Sequence, residues 1–142
     1  MSAAAGLPRR VGIVGLGLMG ASLARGLKAQ DPSIHVAAAE SREDVRARAV
    51  QDGVADEVHA APGGWLGDRE VVVLCTPVAV IEALIGPVSR HMAAGAVLTD
   101  VGGAKERVVE LARREGDPRV LFVGAHPMFG GRGGYEGAKG DR

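Results

Sequence analysis

The chain has 142 residues, 46% of them hydrophobic and 24% charged, a balance that excludes a disordered or fibrous protein and fits one globular domain. Lys+Arg and Asp+Glu number 17 each, so no net charge points to nucleic acid or a membrane surface as partner. The one cysteine makes neither an internal disulfide nor a thiolate metal site, so a reducing cytoplasmic setting and no metal are expected.

No signal peptide is read at the start, and no segment approaches the ~20 apolar residues of a membrane span. Aromatic residues are only 3%, so the core must be aliphatic. The 22 glycines keep no three-residue period, which excludes collagen.

Val11-Gly-Ile-Val14 reads as a buried strand, and Gly15 to Gly20 interrupt it. Leu23 and Leu27 give a helical spacing within Ala21 to Gln30, which Asp31-Pro32 ends. Ile34 to Ala39 is the second strand. Ser41-Arg-Glu-Asp44 resembles a capping box opening a helix to about Asp52, with Val45 and Ala49 inward and Arg46 and Arg48 outward. A short third strand is expected within Val54 to Val58, then a loop at Ala61 to Gly64.

Val71-Val-Val-Leu-Cys75 is apolar throughout, as parallel strands buried on both faces are. Pro77 suits the first position of the helix that Val80, Ile81, Leu84, Ile85 and Val88 mark. Ala96 to Thr99 is a strand, Ala104 to Ala112 a helix, and Val120 to Val123 the last strand. The alternation predicts an α/β fold of Rossmann type, a doubly wound, mostly parallel sheet with helices on both faces.

Gly15-Leu16-Gly17-Leu18-Met19-Gly20 matches G-x-G-x-x-G, directly after a strand and at the opening of a helix. Gly15 allows the tight turn, Gly17 the close approach of a pyrophosphate, and Gly20 close packing of helix on strand. The helix N-terminus offers amides and a positive dipole end to phosphates. Glu40 stands at the end of the second strand, where an acid accepts hydrogen bonds from ribose hydroxyls and repels a 2′-phosphate. The expected cofactor is therefore NAD rather than NADP, although Arg42 is an arginine near enough to meet that phosphate.

Strand ends line the ligand crevice of such a sheet, so Thr76 and Pro77 should face the cofactor. Asp100 follows the next strand, placed to cap the helix after it. His126 follows the last strand, at the same sheet edge, with an ordinary imidazole pKa of about 6.5. His35, His59 and His91 lie apart from any motif. Cys75 reads as a small core residue and Trp65 as packing under a loop.

These segments together resemble the prephenate and arogenate dehydrogenases. The run Val11 to Ala24 looks like their opening but is shared with the 3-hydroxyisobutyrate and 6-phosphogluconate dehydrogenases. More specific are Thr99-Asp-Val-Gly102 with Lys105, and above all His126-Pro-Met-Phe-Gly130 followed by Gly134-Tyr-Glu136. The resemblance covers the nucleotide-binding half of that family. It divides the chain into a tail (1–9), an NAD-binding Rossmann domain (10–125), and a glycine-rich active-site loop (126–142) leading toward a helical domain that this chain lacks.

The resemblance implies NAD-dependent oxidative decarboxylation of prephenate or arogenate in tyrosine biosynthesis, with His126 catalytic and Gly103, Lys105 and Arg132 toward the substrate. It places any homodimer contact in the absent domain. The family usually has serine where Gly103 stands, and the polar pair after its His-Pro-x-x-Gly is replaced by Gly131-Arg132. Two rivals are a 3-hydroxy acid dehydrogenase, which the His-Pro-Met signature opposes, and a non-catalytic dinucleotide-binding module.

Overall fold

A computed structural model describes residues 6–101 and 105–124, with the backbone alone at Lys105. The order is β1 (Arg10–Val14), α1 (Leu18–Gln30), β2 (His35–Ala39), α2 (Glu43–Gln51), β3 (Glu57–His59), a 3₁₀ turn (Gly64–Asp68), β4 (Val71–Leu74), α3 (Val78–His91), β5 (Val97–Asp100), α4 (Lys105–Glu115) and β6 (Leu121–Gly124). All six strands are parallel, in the spatial order β3-β2-β1-β4-β5-β6. This is the doubly wound Rossmann arrangement, with the chain reversing direction across the sheet between β1 and β4.

Side chains alternate across each strand, so β1 feeds two cores. Val11 and Ile13 join Val36, Ala38, Ala21, Ala24, Val45 and Ala49 under α1 and α2. Val14 joins Ala39, Val72, Leu74, Leu98, Ile81, Ile85, Val88 and Val108 under α3 and α4. The scarcity of aromatic residues is thus met by small aliphatic side chains in two thin layers. Among the described residues, the face carrying α1 and α2 is covered only over part of the sheet. Leu121 and Val123 of β6 are 60% and 53% exposed there.

Several local expectations shift. The helix after the glycines begins at Leu18, so Leu18, Met19 and Gly20 are helical and Gly17 is the N-cap. The capping box does not form. Arg42 is the N-cap of α2 and makes no side-chain cap, while Ser41 and Asp44 are exposed. Glu43 and Asp44 in the first turn still complement the helix dipole. Arg46 is half-buried rather than outward, donating from Nη1 to the carbonyls of Glu40 and Ser41 (2.9 and 3.0 Å).

Val54 and Ala55 are buried core residues that precede β3. Pairing then begins at Glu57, opposite Ala37. Pro77 is the N-cap of α3, one position before the expected place. No helix among the described residues is long and apolar enough to cross a membrane.

Candidate functional site

At the carboxyl ends of β1, β2 and β4 lies a cleft of about 540 Å³. The glycine turn forms one of its edges. Gly15 donates from its amide to Ala39 O (2.8 Å), and its φ of +100° is a conformation that favours glycine. A Cβ there would also meet the Thr76 methyl at 2.9 Å. A Cβ on Gly20 would lie 1.9 Å from Gly15 O, so α1 seats on the turn only because that position is glycine. A Cβ on Gly17 would have nothing within 4 Å, so its space opens toward the cleft that it lines. Ala21 N donates to Gly17 O (3.0 Å) as α1 starts. The first-turn amides before it have no carbonyl of the helix to reach.

Glu40 holds the far side of this turn. Its Oε1 accepts the Leu16 amide at 2.9 Å, and its Oε2 accepts the Arg42 amide at 3.0 Å. The Arg42 Nε sits 3.4 Å from the same Oε2, on a guanidinium side chain that is 56% exposed. Glu40 is 8% exposed, and its own amide donates to His59 O at 2.9 Å. Glu40 thus ties β2, β3 and the glycine turn together, its backbone amide reaching β3 and its nearly buried carboxylate holding the turn. Each oxygen keeps acceptor capacity beyond these bonds.

The other walls are apolar. Ala60, Ala61 and Pro62 follow β3, and Pro77, Val80 and Leu84 come from α3. Thr76 lines the cleft with its Oγ1 buried and without a hydrogen-bond partner. Cys75 also lines it, with its thiol pushed up to about 12 by burial and by the nearby Asp100 carboxylate. That thiol is neutral and a poor nucleophile, on a half-buried side chain packed against the edge of the α1 core.

Gly15, Gly17, Glu40, Thr76 and Pro77 therefore meet at one cleft. Leu16, Leu18, Met19 and Gly20 shape the turn and helix without lining it. Asp100 ends β5 fully buried, near Cys75, and the turn from it to α4, where its expected cap would form, lies outside the described residues. The Ala60–Pro62 and Val80–Leu84 walls went unread, although the 3.6-residue spacing of Val80 and Leu84 marked their common face. Gly103, His126, Arg132, the 126–142 loop and the Lys105 side chain lie outside the described residues.

A parallel 3-2-1-4-5-6 sheet with a glycine turn and a strand-end acid at its switch point defines a dinucleotide-binding Rossmann domain. Residues 23–141 match the family model described as prephenate dehydrogenase, nucleotide-binding domain. The chain belongs to that family.

Prephenate dehydrogenase of Lactococcus lactis is 32% identical over 125 residues, which are 86% of this chain and 34% of that protein. The crystal structure of prephenate dehydrogenase from A. aeolicus, in complex with hydroxyphenyl propionate and NAD+, superposes with a TM-score of 0.81 at 26% identity. That match covers 94% of this chain and 46% of the other. Arogenate dehydrogenase of Synechocystis gives a TM-score of 0.75 at 26% identity, over 90% of this chain and 44% of the other. The chain thus spans a third to under half the length of these relatives.

Proposed function

We propose that this chain binds NAD in the cleft and supplies the nucleotide half of a prephenate or arogenate dehydrogenase. The observation that carries the reading is the Leu16 amide bonded to the Glu40 carboxylate, which fixes the glycine turn and the ribose-reading acid as one unit. The open space at Gly17 and the first-turn amides of α1 fit a pyrophosphate. The spare lone pairs of Glu40 fit the two ribose hydroxyls. A 2′-phosphate would face this carboxylate, and Arg42, the one cation lining the cleft among the described residues, is already drawn onto Glu40. NAD is therefore favoured over NADP. Thr76 Oγ1 is a buried polar group that a bound ribose or amide would satisfy.

Bound NAD supplies the hydride acceptor for the oxidative decarboxylation. The chain's own contribution is orientation and one proton acceptor. His126, in neutral form, accepts a hydrogen bond from the substrate hydroxyl and polarises it. Lys105 and Arg132 are cations suited to substrate carboxylates, and Gly103 brings no side-chain hydroxyl where the family usually has serine. The portion of the relatives beyond the matched region completes the substrate site.

The test is NADH formation from prephenate and from arogenate. It is measured with residues 1–142 and with a form extended by the portion that the relatives carry beyond the match. Turnover by the extended form and little by residues 1–142 is expected, because a crevice open to water on one side fixes a dicarboxylate poorly. In the extended form, His126→Asn should lose on the order of 10²–10⁴-fold in rate. Wild-type turnover should fall as pH drops through the imidazole's pKa. No turnover of either substrate by the extended form would overturn the reaction, and full activity from residues 1–142 would overturn the division of labour.

A further inference from the structure

The loop after β3 forms a wall of the cleft, and its attachment is unusual for so short a strand. β3 has only three residues, so the sheet alone holds it weakly. Trp65 supplies the fastening. Its indole Nε1 donates to Ala61 O at 3.0 Å, and its ring stacks on His59, with centroids 4.6 Å apart and planes 8° from parallel. His59 is fixed in turn, its Nε2 lying 2.7 Å from Glu57 Oε1. The next residue in the 3₁₀ turn, Leu66, is fully buried in the α3 core and roots the tryptophan. The backbone of His59 accepts the Glu40 amide. One tryptophan therefore bridges the loop wall and the residue that anchors the acid.

We propose that Trp65 is a positioning residue for the adenosine end of the dinucleotide, acting through Ala61 and Pro62 without touching the ligand. The inference rests on the reading of the cleft as the NAD site. With the pyrophosphate at Gly17 and a ribose at Glu40, the apolar remainder of the cleft past Glu40 is where the adenine goes. Ala60 to Pro62 face Val80 and Leu84 across it. An unfastened loop populates that wall only part of the time, and apparent affinity falls by the populated fraction. The effect is confined to the adenosine half because the nicotinamide half lies beyond the pyrophosphate, on the far side from this loop.

The test uses wild type, Trp65→Phe and Trp65→Ala, titrated with ADP-ribose by calorimetry and with nicotinamide mononucleotide by ligand-observed NMR. Phe keeps an aromatic ring against His59 and loses the donor, so it separates the hydrogen bond from the packing even if the alanine variant does not fold. Trp65→Phe should weaken ADP-ribose about threefold and a folded Trp65→Ala about tenfold or more, with mononucleotide binding unchanged. Wild-type ADP-ribose affinity in a folded Trp65→Phe and Trp65→Ala would overturn the inference alone. Equal weakening of both ligands would also overturn it, since the effect would then be general loss of structure. Failure of the wild-type chain to bind ADP-ribose would overturn the reading of the cleft and this inference with it.

Discussion

Gly17 and Gly20 stand three residues apart and make opposite demands. A side chain at Gly20 meets a backbone oxygen at 1.9 Å, whereas one at Gly17 meets only open space. Gly20→Ala should therefore destabilise the fold by on the order of 1–3 kcal/mol, seen as a lower midpoint in chemical denaturation. Gly17→Val should leave that midpoint nearly unchanged and remove dinucleotide binding, because the isopropyl group occupies the pyrophosphate's space. A stable Gly20→Ala, or a Gly17→Val that still binds, would contradict these assignments.

Cys75 yields a pH prediction at the same scale. Its thiol is raised from 9.0 to about 12 by burial, with the Asp100 carboxylate adding to the shift. The folded chain therefore keeps its proton where the unfolded chain loses it. Below about pH 9 this difference is silent; from there toward 12, stability should fall as pH rises. Cys75→Ser should flatten that alkaline decline in a series of denaturation curves. Thiol reagents at pH 8 should react with the native protein far more slowly than with the unfolded one.

At the scale of elements, the two edges of the sheet do different work. The carboxyl edge carries the cleft. The amino edge is tied by Arg69, just before β4, which is 2% exposed. Its Nε pairs with Asp68 at 3.0 Å, and its Nη1 donates to His35 Nδ1 at 2.9 Å. Because arginine only donates, His35 carries its proton on Nε2, facing Glu57 at 3.5 Å. Arg69→Ala should lower stability by about 1–3 kcal/mol while leaving NAD affinity unchanged, since the lost bonds lie at the end of β1 and β2 away from the glycine turn. A change in affinity without a change in stability would contradict that division.

The elements themselves were largely legible. The apolar run at Val71 marks a strand buried on both faces, and Leu23 with Leu27 marks a helix, because burial writes its period into the residue pattern. The boundaries that slipped are those decided by backbone partners. Ser41 looked like a cap, but the chain leaving β2 is held by Glu40 and Arg46, so the cap falls one residue later, on Arg42. The third strand shortened because Val54 and Ala55 serve the core instead. The 3₁₀ turn around Trp65 had no sequence period to announce it.

At the scale of the molecule, the spatial order of the strands is what turns a glycine pattern into a site. Residues 15–20, 40 and 76–77 are far apart in sequence and meet only because β1 lies between β2 and β4. The fingerprint and its acid were readable because their spacing is fixed by one βαβ unit. The loop wall was not, since which turn of α3 faces which loop depends on packing across the sheet. On the reading proposed above, β1, β2 and their connecting turn form one dinucleotide site selective for NAD, a claim about the whole domain.

Calorimetric titration of the wild-type chain with NAD and with NADP tests that claim most directly, with Gly17→Val as the paired variant. NAD should bind more tightly than NADP, and the variant should lose both while retaining its unfolding midpoint. Equal or tighter binding of NADP would transfer the ribose site from Glu40 to Arg42, and undiminished NAD binding by folded Gly17→Val would show that the dinucleotide does not lie on the glycine turn.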